Sequence, residues 1–296
     1  MKPLVSVIVA TYRRDVALIE ALRSLKEQNY PHIEIVLVDD NDDLEWNRKI
    51  ERIVADFREA FPNVILQYIT NHPNRGSAET RNIGIRAATG EYVTFLDDDD
   101  LYLAEKVGRQ VLFMEERNLD YSITDLFLYG ENGKLADRRI RSYIKETSAQ
   151  FLLEYHLKYH MTGTDTMMFR REYLLSIGGF PPINVGDEFY LMQRAIENGG
   201  SFGYLAGCDI KAYIHTGEGG LSSGQGKVNG ENELYEHKKK YFELLDSKTV
   251  KYIKVRHQVV LAYAYLRMGS VRNCFKNLVL GCFSSPIMFL KILLAR

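Results

Sequence analysis

The chain has 296 residues, enough for one large domain or a domain with an appendage. Its 46% hydrophobic and 26% charged content is that of an ordinary globular protein, and 38 lysines and arginines against 39 acids leave a net charge of −1. Nothing in that balance points to a nucleic-acid partner, so any argument about ligands has to come from local charge.

The opening "MKPLVSVIVATYRRD" holds a short apolar run, Leu4–Ala10, soon followed by charge. It is too short for a membrane span and lacks a small-residue cleavage site, so it reads as a buried first strand and not as a secretory signal. Apolar residues at Val16, Leu18, Ile19, Leu22 and Leu25 then recur at helical spacing over Asp15–Gln28. "IEIVLVDD" (Ile33–Asp40) is a second buried strand, Trp46–Phe61 a second helix, and "NVILQYI" (Asn63–Ile69) a third strand. "GSAETRNIGIRAATG" is expected as a helix stopped by Gly90, and "EYVTFL" as a fourth strand. This alternation predicts an α/β fold with a mostly parallel, doubly wound, Rossmann-like sheet.

Leu101–Arg117 reads as a helix, and "DYSITDLFLYGENGKLADRRI" as a hairpin about Asn132-Gly133. Thr147–Tyr159 reads as a helix, "TDTMMFRREYLLSIGGF" as a strand, a short helix and a Gly-Gly turn, and Asp187–Asn198 as an amphipathic helix. "CDIKAYIH" is a late strand before the glycine-rich "TGEGGLSSGQGKVNG", and everything from Glu231 to Arg296 is helical in pattern. The expected division is 1–230 as the main domain, with 1–117 and 118–230 as its halves, and 231–296 as a C-terminal helical extension. The cysteines Cys208, Cys274 and Cys282 set neither a disulfide framework nor a metal-binding spacing, and are expected as reduced thiols.

Ligands of such sheets bind outside the carboxyl ends of the strands. Those ends read "ATYRR", "VDDND", "NHPNRG" and "DDDD", a convergence of acid, amide and arginine. The last is the most demanding, because adjacent carboxylates repel and a helix cap needs only one of them. Along an extended strand end Asp97 and Asp99 fall on one face and Asp98 on the other, an arrangement suited to a divalent ion that also grips a phosphate. Arg81, early in the third helix, reads alone as a salt-bridge partner of Glu79 or of Asp97–Asp100, and in this company as a phosphate ligand.

"VSVIVATYRR", "VLVDDND", "NRGSAETRNIGI", "GEYVTFLDDDD" and "GGFPPINVGDEFYLMQRA", in this order, resemble family 2 glycosyltransferases of the GT-A fold over roughly Pro3–Ser223. The resemblance implies inverting transfer of a sugar from a nucleotide-sugar, most plausibly a UDP-sugar, to a hydroxyl of a glycan or lipid-linked acceptor in cell-surface polysaccharide synthesis. It implies that Thr11, Tyr12 and Asp39 hold the base, with Asp39 accepting from a uracil N–H, and that Arg13 and Asp40 are among the donor-binding residues. Arg81 is placed by the diphosphate, Asp97 and Asp98 by the ribose or sugar, and Asp99 as the direct ligand of Mn²⁺ or Mg²⁺, with Asp97 and His215 beside the metal. The family's acid pair, usually Glu-Asp, stands here inverted as Asp187-Glu188, with Arg194 at the matching distance. By position Glu188 is the general base and Asp187 its alternative; a cap on the helix is the bland role for Asp187. His215 is equally readable as a packed histidine, and Gly217, Gly219 and Gly220 as the hinges of a lid or as an ordinary loop. Thr164-Asp165 is a weaker candidate for the acceptor pocket.

Two other classes compete. A nucleotidyltransferase also gathers acids at strand ends but calls for a glycine-rich basic loop after the first strand, which "ATYRRDVALIE" lacks. A non-catalytic nucleotide-sugar module would dispense with the acid pair. No G-x-x-x-x-G-K-[ST] loop occurs. For 251–296 two readings stand: helices that pack on the main domain or self-associate, and a basic amphipathic patch on an anionic membrane surface. The expected location is cytoplasmic, or peripheral on the inner face of the membrane.

Overall fold

A computed structural model of the chain describes residues 2–130, 132–183, 186–214 and 224–294. Two compact units emerge, Met1–Ala149 with Met161–Ile214, and Gln150–His160 with His215–Arg296.

In the first unit, β1 (Val5–Thr11), α1 (Val16–Lys26), β2 (Ile33–Asp39), α2 (Leu44–Ala60), β3 (Ile65–Thr70), α3 (Ser77–Ala87) and β4 (Tyr92–Phe95) follow one another. The strands pair in parallel in the order β3-β2-β1-β4, as their near-continuous Val, Ile and Leu runs predict for strands buried on both faces. Register aligns their ends. Thr11 lies opposite Asp39 and Asp39 opposite Thr70, so three strand ends finish in one row.

The third helix ends earlier than glycine-stop reasoning expects: it closes at Ala87 with Ala88 as its cap. Gly90 has a different task. A Cβ there would lie 2.7 Å from the Ser6 backbone nitrogen and 2.8 Å from the Leu4 carbonyl oxygen, so only glycine lets the chain enter β4 against β1. Beside it, the buried Glu34 accepts from the Thr89 hydroxyl and the Gly90 N–H, which seats this turn.

After β4 come β5 (Leu101–Tyr102), α4 (Lys106–Arg117), β6 (Tyr121–Thr124), β7 (Leu126–Gly130) and β8 (Leu135–Arg139). The helix expected from Leu101 therefore begins five residues later, because Leu101 and Tyr102 pair with a distant strand, a tertiary demand that local periodicity does not carry. The hairpin is β7–β8, whereas β6 joins the main sheet. Beyond α5 (Ala149–Tyr159), which belongs to the second unit, the chain adds β9 (Met168–Arg170), α6 (Arg171–Ser176), α7 (Asp187–Glu197), β10 (Phe202–Leu205) and β11 (Ile210–Ile214). The main sheet is thus β10-β6-β9-β4-β1-β2-β3, in which β9 runs antiparallel between β4 and β6. A smaller sheet has the order β5-β11-β7-β8.

The second unit consists, besides α5, of α8 (Gly224–Lys239), α9 (Ser247–Arg267), α10 (Val271–Ser284) and α11 (Pro286–Leu294). Residues 224–230, expected as loop, are the first two turns of α8. Burial of Val228 and Leu234 outweighs the poor helix propensity of three glycines. His257 of α9 stacks on Tyr235 of α8 at 4.0 Å between ring centroids. The break expected at Ser284-Ser285-Pro286 is present, with Ser285 extended and proline opening α11.

Candidate active site

The row of strand ends gathers the acids. The hydroxyl of Thr11 donates to Asp98 at 2.7 Å, and the Tyr12 N–H donates to the same oxygen at 3.2 Å. Even so, burial, reinforced by the neighbouring Asp99, pushes the Asp98 carboxyl up to about 7. Asp99 is paired with Arg14, Nη2 to Oδ2 at 2.7 Å, and Nε of the same arginine is 3.8 Å from Asp98. Arg14 follows directly on Thr11, Tyr12 and Arg13, and sequence reasoning passed over it.

The two aspartates that end β2 turn inward. Asp39 is 0% exposed and accepts from the Asn41 N–H and Nδ2, from Asn47 Nδ2 and from the Tyr68 hydroxyl, at 2.7–2.9 Å. Asn41, so fixed, accepts from the Arg13 N–H at 2.9 Å and shapes the loop after β1. Asp40 accepts from Asn71 Nδ2 and from the N–H groups of Arg75 and Gly76, and thereby sets the turn into α3. Tyr12, 49% exposed, presents its ring to solvent beneath the Arg13 guanidinium.

Arg81 ties the two halves of the site together. Nη2 is 2.7 Å from Oδ1 of Asp97 and Nη1 is 2.9 Å from Oδ2 of Asp187, while the guanidinium lies 5.5 Å from the Phe180 ring centroid. Burial works against its charge, but Asp97 and Asp187 outweigh that and hold it firmly protonated. Ser77 also donates to Asp187 at 3.3 Å. Asp187 opens α7 next to Gly186, which takes the left-handed conformation at φ 77°, and the Glu188 N–H donates to Asp187 at 3.0 Å. Burial and the adjoining Glu188, opposed by Arg81, raise the Asp187 carboxyl to about 6. Glu188 itself is partly exposed. Arg194, a residue of the same helix, donates to the Gly179 carbonyl at 3.2 Å and secures the Gly-Gly turn that precedes α7.

Beneath Asp97 lies a pair of carboxyls that sequence reasoning did not join. Asp165 accepts from the Asp97 N–H at 2.8 Å, and Asp100 accepts from the Tyr213 N–H at 2.8 Å. Burial, then the repulsion between acids, raises both, Asp165 to about 7. Asp165 is thus a buried support of the chain that carries Asp97. Below it Lys106, fully buried, donates to the Tyr102 hydroxyl at 2.7 Å and to Thr94 at 2.5 Å, and burial brings its ammonium down to about 7.

The donor set suits a hard divalent cation. Asp97, Asp100 and Asp165 each offer a carboxylate oxygen within 4.8 Å of the others, and oxygen-only ligation is what Mg²⁺ and Mn²⁺ prefer. Of the metal residues expected from sequence, Asp97 is in this group, Asp99 faces Arg14, and His215 lies outside the described residues, as do Gly217, Gly219 and Gly220 of the expected lid.

The acids thus stand at the carboxyl ends of a mostly parallel sheet, where such folds bind their ligands, with an acid pair on a separate helix opposite them. The chain belongs to glycosyl transferase family 2, whose family model matches residues 6–178. Among curated relatives, an uncharacterized glycosyltransferase of Methanocaldococcus jannaschii is 27% identical over 201 residues, 67% of this chain and 66% of its own length. TuaG of Bacillus subtilis, a glycosyltransferase assigned provisionally to teichuronic acid biosynthesis, is 32% identical over 178 residues, 58% of this chain and 64% of its own. WfaP of Escherichia coli, a UDP-Glc:alpha-D-GlcNAc-diphosphoundecaprenol beta-1,3-glucosyltransferase, is 23% identical over 273 residues, 92% of this chain and 96% of its own. The chain thus spans just under two thirds of the first two relatives. The fold is shared with Staphylococcus aureus TarS residues 1–349, solved with UDP-GlcNAc (TM-score 0.62, 20% identity, 95% of this chain and 91% of that one). It is shared also with the mannosyltransferase PcManGT of Pyrobaculum calidifontis, solved with GDP-Man and Mn²⁺ (TM-score 0.60, 20% identity, 100% of this chain and 81% of that one). The GT-A type of fold and the family expected from the motifs are both borne out.

Proposed function

We propose that this protein is a metal-dependent, inverting glycosyltransferase that moves a sugar from a UDP-sugar to a hydroxyl of a lipid-linked glycan, in the synthesis of a cell-surface polysaccharide. The observation that carries the reading is the Arg81 bridge, which joins an acid of the donor side, Asp97, to the acid pair of the acceptor side.

In this reading the labour divides along the chain, with residues 1–117 receiving the donor, 118–230 the acceptor, and 231–296 forming a helical extension. The exposed Tyr12 ring offers a face for the base, with Thr11 and Arg13 beside it. Asp39 and Asp40 order the loops that frame the nucleotide, and Asp39 accepts the base N–H in exchange for the Asn41 side-chain amide. Asp97 and Asp98 receive the ribose and sugar. Asp97 and Asp99 would hold the cation, Asp99 exchanging its ion pair with the partly exposed Arg14 for it. When bound, that cation offsets the negative charge that develops on the departing diphosphate.

Asp187 is the positioning residue, because its carboxylate is already committed to Arg81 and Ser77. Glu188 is the base. Its carboxylate takes the proton of the acceptor hydroxyl as that oxygen bonds to the anomeric carbon, while the bond from this carbon to the phosphate oxygen breaks and UDP leaves from the opposite face. Attack and departure on opposite faces give one inversion. The UDP preference is supported by the WfaP name, and a lipid-linked acceptor by the same name; polysaccharide synthesis is supported by the TuaG description. Thermal-shift titration against a panel of UDP- and GDP-sugars with Mn²⁺ tests the donor: stabilisation by a UDP-sugar alone is expected, and stabilisation by GDP-sugars only would overturn the nucleotide assignment. A donor that binds but is never turned over would favour a non-catalytic module.

A further inference from the structure

Helix α10 presents its most apolar side to solvent. It buries Cys274, Asn277 and Gly281, spaced three and four apart, and leaves Val271, Phe275 and Phe283 69%, 67% and 85% exposed. Helix α11 adds Ile287 and Leu290 to the exposed apolar residues. Monomeric proteins seldom leave a contiguous face of this kind in water. An apolar cavity of about 450 Å³ opens among α9, α10 and α11, and none of its nine lining residues, which include Leu266, Leu278 and Phe289, carries a charge.

Charge identifies what covers this face. Nine of the chain's 38 lysines and arginines fall in residues 247–296 and none of its 39 acids does, so these fifty residues carry +9 and the remainder −10. Arg272 and Lys276 of α10 follow one another on the flank of its apolar stripe, Lys291 lies on α11, and Arg267 ends α9. A second copy docked here would set a wholly basic segment against itself with no acid to pair. A surface that is apolar within and anionic at its boundary meets both requirements.

We infer that α10 and α11 form a membrane-docking surface that lies in the headgroup region of an anionic bilayer, with Phe275, Phe283, Ile287 and Leu290 entering the acyl boundary and the basic side chains meeting lipid phosphates. The docking is interfacial. Among the described residues no helix is long and apolar enough to cross a membrane, and the nine residues of α11 reach only about 13 Å at ~1.5 Å each, against a hydrocarbon core of about 30 Å. This inference does not rest on the donor chemistry and is tested without it.

The test is cosedimentation of the full chain with phosphatidylcholine vesicles, with and without phosphatidylglycerol, across a salt series. Binding is expected only where phosphatidylglycerol is present, and it weakens as salt rises. Arg272→Glu combined with Lys276→Glu lowers affinity by roughly fivefold or more per charge changed. Phe283→Ser combined with Ile287→Ser lowers it as well, with circular-dichroism melting unchanged in both. The salt series on the unmodified chain keeps the test decisive if a variant misfolds. Equal binding to neutral and anionic vesicles, no binding to either, or a dimer in light scattering that Phe283→Ser abolishes would each overturn the inference.

Discussion

Nη1 of Arg81 lies 2.9 Å from Oδ2 of Asp187, 106 positions further along the chain. One arginine on the third helix therefore fixes the acid that opens α7, and its other nitrogen fixes Asp97 at the end of β4. Two carboxylates that would repel are held within reach of one another by a single buried cation.

Replacing Arg81 by methionine keeps the volume and removes the charge, so the buried Asp187 and the partly exposed Asp97 are left facing each other. Breaking a fully buried pair costs about 3–5 kcal/mol, and the exposure of Asp97 brings the cost here to the low end of that range or below it. Arg81→Met is expected to lower the melting temperature sharply. In urea denaturation, Asp187→Asn added to it should cost far less than it does in the wild type. Additive effects would mean that the bridge is not formed.

Glu188→Gln retains the shape of the side chain and abolishes its basicity. Removal of a general base slows turnover by about 10²–10⁴-fold, and donor affinity measured by calorimetry should stay within about threefold of the wild type. Asp187→Asn acts through orientation, since Arg81 and Ser77 lose their anionic partner, so a smaller fall in kcat is expected. Equal losses in the two variants would remove the distinction between base and positioning residue.

The raised carboxyls predict how the metal-free chain responds to pH. Asp98 and Asp165 titrate near 7 and Asp187 near 6, all above the ordinary 3.8. Between about pH 4 and pH 7 the folded chain holds protons that the unfolded chain has released. The stability these three carboxyls contribute is therefore greatest at the acid end and is lost as pH rises through this window, each tenfold gain in proton affinity on folding being worth about 1.4 kcal/mol. Melting temperature measured from pH 4 to pH 7 should carry this decline, which Lys106, its ammonium brought down to about 7, opposes above that window. Asp165→Asn, which removes one buried charge from the floor, should flatten the curve; an unchanged slope would count against it.

Chelation of divalent ions is expected to abolish transfer, and Mn²⁺ to restore it. Asp99→Asn should weaken Mn²⁺ binding, followed by electron paramagnetic resonance, by at least about tenfold. The reverse ranking, with Asp165→Asn the more damaging, would move the ion down into the cluster of Asp97, Asp100 and Asp165.

Much of the frame is readable from residue order, because it depends on local patterns. The apolar runs of β1 and β2 mark strands covered on both faces, and the helix from Asp187 begins at the predicted residue. Arg81 is legible as a partner of the acid run, but its second partner, Asp187, is not, since nothing local links α3 to α7. The same holds for the Asp100–Asp165 floor, built by a short turn before β9, and for the strand at Leu101–Tyr102, whose partner Ile210 is more than a hundred residues away. Gly90 suggests a stop because it follows a helix, whereas its place is set by the Leu4 carbonyl and the Ser6 amide, which exclude a side chain there.

The most direct test is the configuration of the sugar. With an α-linked UDP-sugar and Mn²⁺, proton nuclear magnetic resonance of the first-formed product, either transferred to an acceptor or released to water, should show the β anomer, and Glu188→Gln should show almost none. Appearance of the α anomer first, or an undiminished rate in Glu188→Gln, would contradict single-step inversion driven from the acid pair that Arg81 holds in place.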